Sequence, residues 1–182
     1  MNHDDYYMDL AIAVKSGADC TGTNVGAVIA LEDRVVSTGY NGTPAGFSNC
    51  KDGGCLRCLD SKAHREERYQ EMVVQSHRPG EALDRCICVH AEQNAFLTAA
   101  KFGIALKGST LYSTSSPCFG CLKEACQIGI QRIVYKEWYP MRLAPELTAQ
   151  YIDLYKHLSN GTPENFEQIS GDRPDIETNQ VP

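Results

Sequence analysis

Whatever fold this chain adopts, it must bring His90-Ala91-Glu92 and Pro117-Cys118-Phe119-Gly120-Cys121 to one point, because together they supply three metal ligands and one carboxylate that is not a ligand. Catalytic zinc commonly takes three protein ligands and leaves the fourth tetrahedral position to water, and a Cys2His set is one of the known combinations. The cysteine pair begins 28 residues after the histidine, so tertiary structure has to join the two halves. A structural zinc knuckle is the competing reading of a Cys-x-x-Cys pair with one histidine. Such sites are closed by a fourth protein ligand, and none stands beside this group, whereas Glu92 does. Cys126, five residues past Cys121, reads as a buried core thiol.

Ser115-Ser116 ahead of Pro117 predicts a helix start with proline at the first helical position, where its missing N–H costs little. Cys118 and Cys121 then share one face of the first turn, where the positive end of the helix dipole favours thiolates. His90 stands near the start of another helix. The metal is therefore expected between two helix N-termini, with Glu92 leaning into the same cavity. Zinc lowers the pKa of a bound water from about 15.7 toward roughly 7 to 9. Under two thiolates it is less electrophilic than under three histidines, so a base is needed, and Glu92 is the only candidate adjacent to the ligands.

Along the chain, Tyr7, Leu10, Ala11 and Val14 follow helical spacing and predict an N-terminal helix ending near Gly17. Val25 to Leu31 and Arg34 to Gly39 are β-branched runs joined by Glu32-Asp33, and they predict a hairpin. Residues 41–88 read as an insertion that holds a turn-rich segment, a glycine- and cysteine-rich loop to Cys58 and a charged helix over Asp60 to Ser76. Then follow a helix over Val89 to Phe102, a strand over Thr110 to Ser113, a helix over Pro117 to Ile128, a strand over Arg132 to Lys136 and a helix over Pro145 to Leu158. This order predicts one domain over residues 1–158 of the α/β class, a three-layer α/β/α fold with a mixed central sheet. The tail, 159–182, offers little to bury beyond Phe166 and Ile169, and reads as disordered or as packing on a neighbour.

Composition narrows the function classes. A chain of 182 residues suits one domain, and no apolar run approaches the roughly 18 residues needed to span a bilayer. The acidic, polar start from Met1 to Asp9 is unlike a secretory signal, which makes a cytoplasmic setting the expectation. A net charge of −6 argues against a chain whose main task is gripping a polynucleotide. Nine cysteines in a reducing compartment favour metal binding over disulfides.

With these motifs the chain resembles the zinc-dependent cytidine deaminase superfamily, and within it the deoxycytidylate (dCMP) deaminases. The residues that carry the likeness are Val25-Gly26-Ala27-Val28-Ile29, Ser37-Thr38-Gly39-Tyr40-Asn41-Gly42-Thr43-Pro44-Ala45-Gly46, Val89-His90-Ala91-Glu92-Gln93-Asn94-Ala95 and Ser116 to Cys121. The zinc motif alone reaches the superfamily; the Gly-Tyr-Asn-Gly segment, with the H-A-E-x-N-A form, looks like dCMP deaminase. The resemblance implies hydrolysis of dCMP to dUMP and ammonia, supplying thymidylate synthesis. It also implies a homo-oligomer, often a hexamer, activated by dCTP and inhibited by dTTP with Mg2+ beside the triphosphate. Glu92 would carry a proton from water to N3 of the cytosine ring and a second proton to the departing amine. Asn41 and Tyr155 would contact the nucleotide, and Gly42 and Asn94 would lie at the effector site.

Six cysteines remain: Cys20, Cys50, Cys55, Cys58, Cys86 and Cys88. Some family members carry a second, structural zinc, and the matching positions here are Cys20, Cys50 and Cys88, with Cys86 as the fourth. Cys55 and Cys58 are extra to that set; they could replace part of it or form another site with Cys50, Cys86, His64 or His77. Six thiols could close two zincs if some bridge. Free thiols are the bland alternative, but exposed C-x-x-C and C-x-C pairs oxidise readily. Other readings stay open: a zinc deaminase of tRNA adenosine, free cytidine or a pterin-like base, or a non-catalytic zinc-stapled module that binds nucleic acid or protein. A tRNA enzyme would want a basic surface, free cytidine enzymes often use cysteine where His90 stands, and an intact Glu92 speaks against a silent module.

Overall fold

The computed structural model describes residues 3–59, 86–139, 147, 150, 151, 153, 154, 158 and 166–168. The first helix, α1 (His3–Lys15), carries Asp4 and Asp5 in its first turn and Lys15 in its last, each sign matching the helix dipole. Its buried residues are Tyr7, Met8 and Ala11, with Leu10 and Val14 half-buried beside them. Next come strands β1 (Gly26–Leu31) and β2 (Arg34–Tyr40), an antiparallel hairpin. Its two-residue turn, Glu32-Asp33, has φ of 50° and 59°. Two left-handed residues twist such a turn to match the strands it joins, at the positions the sequence predicts.

After the hairpin, Cys50–Asp52 forms a short 3-10 turn, and a helix opens at Leu56. The helix expected over 60–76 lies outside the described residues. The chain resumes with α2 (Ala91–Lys101), β3 (Thr110–Ser115), α3 (Phe119–Ile128), β4 (Arg132–Glu137) and β5 (Phe166–Gln168). Of the helix expected over 145–158, each described residue is helical.

The sheet order is β2-β1-β3-β4-β5. β1 pairs antiparallel with β2 and β3, while β3, β4 and β5 run parallel, so the sheet is mixed. Strand alternation divides the core in two. Ala27, Ile29, Leu111, Ile133 and Tyr135 face α2 and α3; Val28, Ala30, Tyr112 and Val134 face α1. Helices on both faces of one sheet make the three-layer α/β/α fold that the sequence predicts. Within the tail, Phe166–Gln168 adds an edge strand to β4.

Two contacts place α2 and α1 on this sheet. A Cβ on Gly39 of β2 would collide with the Ala91 carbonyl and the Ala95 amide of α2, so glycine lets that helix lie directly on the strand. On the other face, Arg132 of β4 holds the Asp4 carboxylate through two hydrogen bonds of 2.7 and 2.9 Å, and the Tyr112 hydroxyl donates a third at 2.7 Å.

These bonds to Arg132 outweigh partial burial and hold the Asp4 carboxyl below its ordinary value of 3.8. A folded-state pKa lowered in this way contributes stability that is complete above the ordinary value and lost as pH falls through the lowered one. Asp4→Asn is expected to cost about 1–3 kcal/mol at pH 7, the scale of a hydrogen bond to a charged group. Urea denaturation should show the wild-type advantage shrinking below about pH 4; a difference that is constant from pH 7 to pH 3 would contradict this role.

Candidate active site

His90 and Cys118 are both N-cap residues, His90 of α2 and Cys118 of α3. An N-cap has extended backbone and precedes the first helical residue, and both residues show it, with φ, ψ of −70°, 158° and −72°, 169°. The two helix N-termini therefore converge, as expected. The start of α3 differs from the prediction, because Ser115-Ser116 is not a helix start and Pro117 is not its first residue. Ser115 pairs with Glu137 in the parallel ladder, and the Ser116 amide donates to the Glu137 carbonyl at 2.8 Å. The sheet thus uses the backbone that a helix would need, and the helix begins after Cys118. Pro117 is held from the last helix, where the buried Tyr151 hydroxyl donates to its carbonyl at 3.0 Å.

The three candidate ligand atoms form a tight triangle. His90 Nδ1 lies 3.3 Å from Cys118 Sγ and 3.4 Å from Cys121 Sγ, and the two sulfurs are 3.6 Å apart. Tetrahedral zinc, with bonds of about 2.3 Å to sulfur and 2.0–2.1 Å to nitrogen, would separate such atoms by roughly 3.6–3.8 Å. The donor set fits the ion in type and in span. The electrostatics agree at Cys118, while His90 must give up the proton that the neighbouring thiolate favours before it can bind a metal. Hydrogen bonding from Cys121, with His90 beside it, pulls the Cys118 thiol down to about 4, despite burial. Burial opposes a charge on His90, but the Cys118 thiolate wins and pushes the imidazole up to about 9.

Glu92, in the first turn of α2, is only 4% exposed. Its Oε2 lies 3.7 Å from Cys121 Sγ, and its Oε1 accepts a hydrogen bond of 3.2 Å from the Ser113 hydroxyl of β3. Burial pushes its carboxyl above the ordinary value, with the neighbouring His90 pulling the other way. A buried carboxyl beside a metal triad, but not part of it, can hold a proton and release it. Gln93 locks the frame, accepting from the His90 amide at 3.2 Å and donating to Glu124 of α3 at 2.9 Å.

The structure assigns backbone contacts to the other expected residues. Asn41 accepts from the Val25 amide at 2.7 Å and donates to the Thr23 carbonyl at 2.8 Å, so at most one amide N–H remains for a ligand. Gly42 exchanges two backbone hydrogen bonds with Val89, and Asn94 donates to the Tyr40 carbonyl at 2.7 Å. Tyr155, His64 and His77 lie outside the described residues. Ser113 and Tyr151 belong to no motif in the sequence. The one signal for Ser113 was a small polar residue on the same strand face as Leu111.

The six outlying cysteines do come together, in two groups: Cys20, Cys50, Cys58 and Cys88, and Cys55, Cys58, Cys86 and Cys88. Cys58, not Cys86, is thus the fourth member beside Cys20, Cys50 and Cys88.

A family model described as the cytidine and deoxycytidylate deaminase zinc-binding region matches residues 1–137. Deoxycytidylate deaminase of Schizosaccharomyces pombe is 34% identical over 164 residues, covering 89% of this chain and 45% of the relative. The Saccharomyces cerevisiae deoxycytidylate deaminase is 38% identical over 138 residues, covering 76% of this chain and 38% of the relative. This chain thus spans less than half the length of both yeast relatives. The crystal structure of dCMP deaminase from the cyanophage S-TIM5, in complex with dCMP and dUMP, superposes with a TM-score of 0.61 at 27% identity, covering 91% of this chain and 95% of that one.

Cys118→Ser is expected to lower the zinc content of the purified protein by about one ion per chain, since a three-ligand site tolerates no such loss. Unchanged zinc by mass spectrometry of the metals would put the ligand elsewhere.

Proposed function

This chain belongs to the cytidine and deoxycytidylate deaminase family, and from that premise we propose that it hydrolyses dCMP to dUMP and ammonia. The observation that carries this function is the buried Glu92 carboxylate, anchored by Ser113 next to the His90, Cys118 and Cys121 triad. These three residues would hold zinc, which when bound supplies an activated water and leaves room for it in the fourth position.

The chain's own groups do the rest. Glu92 takes a proton from the attacking water and delivers it to N3 of the pyrimidine, so that positive charge on the ring makes C4 more electrophilic. Its carboxylate then takes the second water proton from the new C4 hydroxyl and passes it to the exocyclic amine, which leaves as ammonia while C4 becomes a carbonyl. A carboxyl raised by burial suits this shuttle, because it holds a proton more readily than a solvated carboxylate does. Ser113 holds one carboxylate oxygen, which leaves the other to face the reaction.

Finer parts of the proposal come from the likeness to the family. Asn41, with its remaining N–H, and Tyr155 would position the nucleotide. Gly42 and Asn94 would border a site for dCTP as activator or dTTP as inhibitor, with Mg2+ on the triphosphate. The family expectation is a cytoplasmic homo-oligomer, often a hexamer, and Leu97 and Phe102, exposed at 59% and 68% on and just after α2, offer apolar surface that a further copy would bury. Among the described residues, no helix is long and apolar enough to cross a membrane.

An ammonia-release panel over dCMP, CMP, deoxycytidine and dCTP, with and without dCTP or dTTP plus Mg2+, tests the substrate. dCMP is expected to be preferred, and a higher kcat/KM for another member would overturn the assignment. Glu92→Gln should keep its zinc and lose about 10²–10⁴-fold in kcat; turnover at the wild-type rate would remove Glu92 from the chemistry. Ser113→Ala is expected to lower kcat about tenfold with KM little changed, the loss of about 1.4 kcal/mol of orientation, and Ser113→Thr should restore much of it. An effect on KM alone would assign Ser113 to binding.

A further inference from the structure

Six thiols are two more than one tetrahedral ion can use and two fewer than two separate ions would need. The two groups of four cysteines overlap in Cys58 and Cys88, and within each group every sulfur lies within 4.8 Å of the others. We propose that the six cysteines hold two zinc ions in one binuclear cluster, with Cys58 and Cys88 as bridging thiolates, Cys20 and Cys50 completing one tetrahedron, and Cys55 and Cys86 completing the other. This assignment goes beyond the deaminase reading and does not depend on it.

The spacing fits two tetrahedra sharing an edge. Cys20 to Cys58, Cys55 to Cys86 and Cys58 to Cys86 are each 3.7 Å between sulfurs. Zinc with bonds of about 2.3 Å to sulfur separates its ligands by roughly 3.8 Å, whereas a disulfide would bring them to about 2.05 Å. Each of the six is a free cysteine, and Cys50, Cys55, Cys58 and Cys88 are buried. All-sulfur and largely buried, with four sulfurs in each group, the site suits zinc above harder cations.

Charge balance favours bridging. Six thiolates and two Zn2+ leave two negative charges, and sharing two sulfurs between both ions spreads them. The surroundings supply donors for the remainder. Arg57 hydrogen-bonds to Cys58, the Thr21 amide donates to Cys50 Sγ at 3.4 Å, and backbone hydrogen bonds involving Gly22 and Cys88 reach Cys20 and Cys86. Such donors orient thiolate ligands and tune the metal.

The cluster would tie three segments together: the loop before β1 through Cys20, the segment after β2 through Cys50, Cys55 and Cys58, and the approach to α2 through Cys86 and Cys88. Cys88 stands two residues before His90, and the Gly42–Val89 bridge lies between. The binuclear cluster therefore braces the backbone that presents His90 and Glu92.

Cadmium-113 replaces zinc at thiolate sites and reports its ligands by NMR. In the full-length protein with zinc exchanged for cadmium-113, proton–cadmium correlation should show two cadmium nuclei on these cysteines. The β protons of Cys58 and Cys88 should each couple to both nuclei, those of Cys20 and Cys50 to one, and those of Cys55 and Cys86 to the other. A single cadmium on the six cysteines, or two without any shared cysteine, would overturn the binuclear cluster. Metal analysis of the protein as purified should find zinc in the cluster, and iron or copper in its place would overturn the choice of ion. Neither readout uses deaminase activity, so a failure here is distinct from failure of the dCMP assignment.

Discussion

The meeting of two helix N-termini at the end of β3 is the constraint on which the rest of the structure depends. Two cysteine sulfurs, an imidazole and a carboxyl crowd into one buried volume, where the positive ends of α2 and α3 favour negative charge and a bound metal ion would neutralise it. The surrounding fold serves that meeting. Gly39 lets α2 press onto β2, Gln93 links α2 to α3 through Glu124, and Tyr151 and the Glu137 carbonyl hold the chain on either side of Ser116-Pro117.

Glu92 illustrates how burial becomes chemistry. On an exposed helix the same residue in the first turn would be a solvated carboxylate, stabilised by the helix dipole and of no catalytic interest. Here burial raises its carboxyl while Ser113 fixes one oxygen. The proton-holding character of this carboxyl is thus made by its surroundings as much as by its identity. The opposite face of the sheet shows the complementary case: Arg132 and Tyr112 hold Asp4 ionised, where it fastens α1 and takes no part in the site.

The cysteine-rich region reads differently in three dimensions than in one. Along the chain, residues 41–88 look like an insertion between core elements. In space its described ends are joined to the core: Gly42 pairs with Val89, and Cys50, Cys55 and Cys58 gather with Cys86, Cys88 and with Cys20 from the other side of β1. Cross-linking by metal would close these loops and turn binding free energy into local stability, next to the backbone that presents His90.

Much was legible in the sequence because its signals are local. Turn chemistry at Glu32-Asp33, helical spacing in α1 and ligand spacing at Cys118 and Cys121 are set by residues a few positions apart, and the triad with Glu92 follows from chemistry that needs those residue types. What failed or went unseen depended on distant partners. The start of α3 shifted to Phe119 because β4 claimed the backbone of Ser115 and Ser116, and Ser113 gained its role because β3 runs beneath α2. Asn41 likewise spends its amide on Thr23 and Val25 across the hairpin. By itself the sequence determined the candidate ligands, the carboxyl beside them and the layer order. Only the tertiary structure decided which oxygen of Glu92 is held and which cysteines share a neighbourhood, because hydrogen bonds and sulfur contacts between strands and loops far apart in the chain leave no periodicity to read.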